Sequence, residues 1–172
     1  MNRAKIPYMV IGGQAVLVYG EPRLTKDIDI TLGVGVDGLE KIQKLTSRLK
    51  LKMLPKSPRE FVKKTMTLPA LEEKSGIRVD FIFSFSPYER QAIERARAVR
   101  FGRSTVKFAA LEDLVIHKLI AGRPRDIEDV KSVLLKNPRY NRAYLVGWLK
   151  KFDDSLAGNL LKTFKALEKE LG

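Results

Sequence analysis

The chain has 172 residues, 44% hydrophobic and 31% charged, which predicts one globular domain or a domain with a helical extension and excludes an intrinsically disordered chain. It has no cysteine, which excludes disulfides and thiolate metal sites, so oxygen ligands or the single His117 would have to hold any metal. Apolar runs fall short of the roughly 20 residues that span a bilayer, and the N-terminus does not resemble a signal peptide, so we expect a cytoplasmic protein without a membrane partner.

The first two thirds of the chain shows both strand and helix patterns. An apolar run at 8–11 ends at Gly12-Gly13, and 14–19 has a helical composition. Residues 27–32 alternate polar with aliphatic side chains, which places Asp27 and Asp29 on one face of a strand. The other patterns predict helices at 36–49, 57–64 and 87–96 and strands at 65–71, 77–84, 98–101 and 105–108.

From residue 109 onward the pattern is almost wholly helical, with helices predicted at 111–121, 124–135, 142–152 and 156–171. No repeat or low-complexity linker separates the two parts. We therefore predict an α/β (α+β) fold with a mixed sheet flanked by helices. The sheet domain would occupy 1–108, and a helical subdomain at 109–172 would pack on it.

Three carboxylates would converge if the strand that carries Asp27 and Asp29 neighbours the strand that carries Asp80. Such a cluster is costly because like charges repel, and it persists mainly where a divalent cation neutralises it. Gly12-Gly13 at a strand-to-helix turn would offer backbone amides to a phosphate. Alone, a Gly pair is more often a tight turn, and an Asp-x-Asp strand is as often a solvated face. Their combination favours phosphoryl chemistry on a metal.

These residues resemble a known signature. Gly12-Gly13, thirteen intervening residues, Asp27-Ile28-Asp29 and a later Asp80 between hydrophobic residues resemble the DNA polymerase β-like nucleotidyltransferase superfamily. The strings Gly-Gly-Gln-Ala and Arg-Leu-Thr-Lys-Asp-Ile-Asp, with a later segment from Glu112 to Val130, are similar to minimal bacterial and archaeal members grouped with AbiEii-type toxins. Together the motifs bracket residues 8–135.

The resemblance implies an enzyme that uses two Mg²⁺ or Mn²⁺ ions. It would transfer a nucleoside monophosphate from a nucleoside triphosphate such as ATP to an acceptor, with release of pyrophosphate. Asp27 and Asp29 would ligate the metals. Asp80 would complete the second metal site or take the proton from an attacking hydroxyl. This agrees with the chemistry, since two metals stabilise both the attacking and the leaving oxygen of an in-line displacement.

Further residues are predicted to bind the nucleotide besides Gly12 and Gly13. Lys118 falls on a helix face that should pack inward, and the resemblance implies a phosphate or ribose contact there; the alternative is a lysine that snorkels to water. Arg23 and Thr25 precede the acidic strand and would line the phosphate entrance, although a basic loop is usually only solvated. Asp126 and Asp129 share a helix face, and we interpret them as ion-pair partners between two helices.

The acceptor has to be predicted from charge. The chain has 33 Lys and Arg against 20 Asp and Glu, a net charge of +13, which favours polyanionic partners such as nucleoside triphosphates and RNA. A Lys-rich surface without a dedicated partner is the alternative. The leading prediction is a toxin-like enzyme acting on tRNA or a protein, and the sequence neither supports nor excludes an antitoxin partner. Two alternatives are a non-catalytic nucleotide- or RNA-binding module of the same fold and an antibiotic nucleotidyltransferase.

Overall fold

The computed structural model describes residues 1–84 and 86–172. It divides into two compact units. Unit 1 comprises Met1–Gln14 and Leu24–Ala109, and unit 2 comprises Ala15–Arg23 and Ala110–Gly172. The predicted boundary at residue 108 and the predicted packing of the helical part on the sheet stay predictions.

Unit 1 contains a seven-stranded mixed sheet with the strand order β3-β4-β5-β2-β1-β7-β6. The strands are β1 (Tyr8–Val10), β2 (Asp27–Leu32), β3 (Lys52–Met53), β4 (Thr67–Glu72), β5 (Ile77–Phe83), β6 (Arg97–Phe101) and β7 (Ser104–Phe108). The β2–β5 and β1–β7 pairs are parallel, and the other pairs are antiparallel. The sequence analysis missed only β3, because two residues are too few to show an alternation of side chains.

The hydrophobic core of unit 1 fixes which face of the sheet is polar. The first helices are α1 (Gly12–Tyr19), α2 (Leu39–Arg48), α3 (Pro58–Thr65) and α4 (Pro87–Glu94). Helix α2 presents Leu39, Ile42 and Leu45 at helical spacing to a cluster that contains Leu32 and Phe81. Since the aliphatic side chains of β2 pack into this core, the acidic side chains that alternate with them project from the opposite face of the sheet.

Unit 2 contains the helices α5 (Leu111–Ala121), α6 (Pro124–Lys136), α7 (Arg142–Leu156) and α8 (Leu160–Leu171). The predicted break between the last two was wrong, because α7 continues to Leu156. The carboxylate of Asp153 sets the true start of α8, since it accepts hydrogen bonds from the amides of Leu160 and Leu161 at 2.6 and 3.0 Å. A side chain within α7 thus caps the next helix, a contact that periodicity does not reveal.

The predicted fold class is confirmed, with a mixed sheet, flanking helices and a helical C-terminal part. Within residues 1–84 and 86–172, no helix combines the length and the apolar character needed to cross a lipid bilayer.

Candidate active site

Three carboxylates project from one face of the paired strands β2 and β5. Asp29 is level with Asp80, and Asp27 is level with Arg78. Residues level with each other on paired strands lie about 4.8 Å apart and project from the same face. This confirms the predicted neighbourhood of the two acidic strands. Asp27 is exposed, whereas Asp29 and Asp80 are half-buried.

The glycine turn before α1 lies directly against Asp29. The amide of Ile11 donates a 2.9 Å hydrogen bond to the carbonyl of Asp29, which fixes the turn beside β2. Gly12 has a φ of +63°, and a Cβ at this position would lie 2.0 Å from Asp29 Oδ2. Glycine is therefore required both for the left-handed backbone and for the space that the carboxylate occupies.

Arg78 is the residue of this surface that the sequence analysis missed. Its Nε donates a 2.8 Å hydrogen bond to Asp80 Oδ1. That bond raises the pKa of Arg78 above its ordinary value, and the charges of Asp80, Asp27 and Asp29 raise it further. The guanidinium therefore lies in the field of all three carboxylates. The two-residue period of a strand was the available signal, because Arg78 precedes Asp80 by two positions.

The carboxylates are not assembled as a finished metal centre. Within the described part of the chain, no three or more acidic or histidine side chains are grouped closely enough to hold a metal ion as they stand. Asp80 is bonded to Arg78 instead. The donor set still suits a hard cation, since it consists of carboxylate oxygens on one face, and Mg²⁺ and Mn²⁺ prefer oxygen ligands.

The other predicted nucleotide contacts occupy different positions. Gly13 is a buried residue in the first turn of α1. The Thr25 hydroxyl donates to the carbonyl of Asp27 at 3.4 Å, in the loop that enters β2. Arg23 and Lys118 belong to unit 2, where they share one carboxylate.

Lys118 is buried in unit 2, with 5% of its surface exposed. Its Nζ lies 2.6 Å from Asp126 Oδ1 and 2.8 Å from Asp129 Oδ2. The predicted inward-facing position is confirmed, and the snorkelling alternative is wrong because the ammonium ends in a buried ion pair. The predicted pairing of Asp126 and Asp129 between two helices is also confirmed, since Lys118 lies on α5 and both aspartates lie on α6.

Two arginines complete this network. Arg23 binds Asp129 through Nε and Nη2, both at 2.8 Å, and Arg123 Nε donates to Asp126 Oδ2 at 2.6 Å. Burial by itself raises the pKa of both aspartates. The hydrogen bonds from the arginines and from Lys118 outweigh it, and both pKa values lie below the ordinary value. The nucleotide contacts predicted for Arg23, Thr25 and Lys118 stay predictions.

Comparisons with known proteins agree with this fold. The family model described as "Nucleotidyltransferase of unknown function (DUF6036)" matches residues 1–139. A search of the curated proteins finds no match. Among solved structures, the lincosamide antibiotic adenylyltransferase LnuA with bound lincomycin is 16% identical, with a TM-score of 0.52 over 77% of this chain and 88% of its own.

Two further solved structures are similar over more of the chain. An antigenic nucleotidyltransferase-like protein from Paracoccidioides brasiliensis is 17% identical, with a TM-score of 0.54 over 94% of this chain and 87% of its own. The antibiotic-resistance factor ANT(2'')-Ia is 13% identical, with a TM-score of 0.55 over 99% of this chain and 88% of its own. At sequence identities this low, the similarity to these structures shows the fold alone.

Proposed function

Because the chain belongs to the family of nucleotidyltransferases whose model matches residues 1–139, we propose that Asp27, Asp29 and Asp80 carry its nucleotidyl transfer in a Mg²⁺-dependent reaction. A nucleoside monophosphate would pass from a nucleoside triphosphate to the hydroxyl of an acceptor, and pyrophosphate would leave. The observation that carries the proposal is the β2–β5 register, which sets Asp29 level with Asp80 on the face that adjoins Gly12.

We infer the metal from the charges on this face. Three neighbouring carboxylates need positive charge, and Arg78 supplies one unit of it through its bond to Asp80. Asp27, Asp29 and Asp80 would hold the ions, two Mg²⁺ or Mn²⁺ in our proposal. When bound, such ions neutralise the triphosphate and stabilise the attacking and leaving oxygens.

The chain's own groups supply positioning and proton transfer. Helix α1 begins at Gly12, so its first backbone amides and its dipole favour a phosphate next to Asp29. Asp80 would also accept the proton of the attacking hydroxyl, a role that suits a half-buried carboxylate. Nucleotide contacts by Arg23, Thr25 and Lys118 are predictions from the sequence resemblance alone. For Lys118, the buried ion pairs with Asp126 and Asp129 favour a structural role instead.

For the acceptor we propose RNA, with tRNA as the first candidate. The net charge of +13 favours a polyanion over a cationic small molecule. A protein acceptor, a toxin-like role and an antitoxin partner stay predictions from the resemblance. The second candidate is an antibiotic acceptor. Two proteins of similar fold support it, since LnuA is named an antibiotic adenylyltransferase and ANT(2'')-Ia an antibiotic-resistance factor.

Transfer of label tests the proposal directly. The protein is incubated with each α-³²P-labelled nucleoside triphosphate and with Mg²⁺ or Mn²⁺. The acceptor is total RNA, lincomycin or tobramycin in separate reactions, and a reaction without added acceptor shows any label on the protein itself. We expect label on RNA with at least one triphosphate, loss of transfer after EDTA, and recovery when the metal is restored. The Asp29→Asn variant gives the background.

Transfer that persists in EDTA would contradict the metal, and transfer to the antibiotics alone would contradict the RNA acceptor. Absence of label under every condition would contradict catalysis.

Arg78 gives a prediction that needs no turnover. Arg78→Gln is expected to bind Mn²⁺ about three- to tenfold more tightly, because the guanidinium competes with the metal for Asp80 and repels it. Mn²⁺ is titrated into each protein, and electron paramagnetic resonance measures the concentration of free Mn²⁺, from which the affinity follows. The matched control is Arg48→Gln, which removes the same charge from α2 on the other side of the sheet. If both variants gained the same affinity for Mn²⁺, or if Arg78→Gln bound Mn²⁺ more weakly than the parent, Arg78 would not be part of the metal site.

A further inference from the structure

The antiparallel hairpin β6–β7 concentrates positive charge at one edge of the sheet. Residues 95–110 contain five Lys and Arg and no Asp or Glu. Strand β6 is the outermost strand, and the turn into β7 passes through Gly102 at a φ of +56°. Between residues 97 and 107 only Val99 and Val106 are partly buried, and all the others are exposed. The hairpin is therefore a basic ribbon that is open to a partner.

Four cations of this ribbon are not neutralised by ion pairs among the described residues. No ion pair in residues 1–84 and 86–172 involves four of its cations, namely Arg97, Arg100, Arg103 and Lys107. Arg100 Nε donates instead to the carbonyl of Gly102 at 3.2 Å. A partner that brings phosphates would supply the missing negative charge.

An aromatic ring accompanies the cations. Phe101, beside the turn, has 55% of its surface exposed. Its ring centroid lies 5.7 Å from that of Phe108, which is buried and holds the exposed ring in place. Exposed aromatic rings among Arg and Lys are the usual stacking platforms for unpaired bases. This combination favours single-stranded nucleic acid over an acidic protein, for which the ring would add little.

The ribbon also shares a face with the carboxylates. When the strand register is followed from β2 through β1 to β7 and β6, Lys107 and Arg100 project from the same face as Asp29, whereas Arg97 and Phe101 project from the opposite face. Only β1 separates β7 from β2, so these two strands run about 10 Å apart. An extended polyanion that reaches Asp29 would therefore pass Lys107 and Arg100.

We propose that the β6–β7 hairpin docks the acceptor as single-stranded RNA. The RNA phosphates contact Lys107 and Arg100 on the face of Asp29. The RNA strand then passes around the free edge of β6, where Arg103 in the turn and Arg97 on the opposite face contact further phosphates and one unpaired base stacks on Phe101. This inference rests on the proposed nucleotidyl transfer to RNA and adds the surface that selects the acceptor.

The test compares two variants with the same change of charge. In the ribbon variant Arg97, Arg100, Arg103 and Lys107 are replaced by Gln. In the control variant the exposed cations Lys41, Lys44, Arg48 and Lys50, on α2 and just after it, are replaced by Gln. Binding of a fluorescent 20-nucleotide RNA is followed by anisotropy at several KCl concentrations, without triphosphate or metal. Circular dichroism and thermal melting verify that each variant is folded.

We expect the ribbon variant to bind at least about tenfold more weakly, and its salt slope to fall by about 2 to 3, because each contact to a single strand contributes about 0.7. The control variant should bind nearly like the parent. Phe101→Ala should weaken binding about tenfold without a change of salt slope, because stacking is not ionic. Equal losses in ribbon and control variants, no RNA binding by the parent, or equally tight binding of poly-glutamate would overturn the inference. Since no turnover is needed, these results remain distinct from a failure of catalysis.

Discussion

Gly12→Ala is expected to lower the rate of nucleotidyl transfer by at least about 100-fold in a protein that stays folded. The new Cβ would lie 2.0 Å from Asp29 Oδ2 and 3.0 Å from Asp29 Cγ. The Ile11–Asp29 hydrogen bond and the pairing of β2 hold the backbone, so the carboxylate has to move. A displacement of about 1 Å in a catalytic group is enough for a loss of this size.

The matched control for this substitution is Gly76→Ala. Gly76 has a similar φ of +69°, but nothing lies within 4 Å of the position that its Cβ would take. Both substitutions carry the same left-handed backbone cost, about 1 kcal/mol. Urea denaturation should therefore show similar falls in the free energy of unfolding, whereas initial rates of label transfer should collapse only for Gly12→Ala. An active Gly12→Ala variant, or an equally inactive Gly76→Ala variant, would mean that Asp29 does not need its observed position.

The acidic strand could be predicted from the sequence because its signal is local. Residues 27–32 alternate between the core and the opposite face, and a two-residue period can be seen in six residues. The same reasoning placed Lys118 on the inward face of its helix. By contrast, β3 has two residues and no period, and the N-terminal cap of α8 comes from Asp153 in the preceding helix.

What escaped prediction depends on contacts between segments far apart in the chain. Arg78 shares the face of Asp80 through the two-residue period of β5, but its position level with Asp27 depends on the parallel register of β5 and β2, which no local pattern specifies. Arg23 bonds Asp129, which lies 106 positions further along the chain. Its side chain is therefore held in an ion pair, although the neighbouring residues favour a solvated loop. For the same reason, the inclusion of residues 15–23 in unit 2 follows from tertiary contacts rather than from composition.

Lys118→Met is expected to lower the free energy of unfolding by about 3 kcal/mol. The substitution keeps the length of the side chain and removes the cation that Asp126 and Asp129 share, while both carboxylates stay 2% to 5% exposed. Loss of one member of a buried ion pair leaves charge uncompensated and costs about 3–5 kcal/mol. We expect the lower end because Asp126 keeps Arg123 and Asp129 keeps Arg23.

Lys131→Met is the matched control, since it makes the same substitution on α6. Lys131 Nζ pairs with Glu170 at 2.7 Å, but Glu170 is 58% exposed, so solvent screens the pair. Solvent-screened ion pairs of this kind contribute little to stability. Urea denaturation of both variants should therefore separate them by at least about 2 kcal/mol. Equal stabilities would show that the buried network does not hold α5 against α6.

The same pair of variants also decides what Lys118 does for the nucleotide. If its role is the one the structure displays, Lys118→Met loses stability, and the remaining folded protein binds nucleoside triphosphate with the affinity of the parent. If Lys118 leaves the aspartates to contact a phosphate, triphosphate affinity falls in the folded fraction while the free energy of unfolding changes little. An ammonium with two carboxylates at 2.6 and 2.8 Å has most of its donors engaged, so we expect the first result.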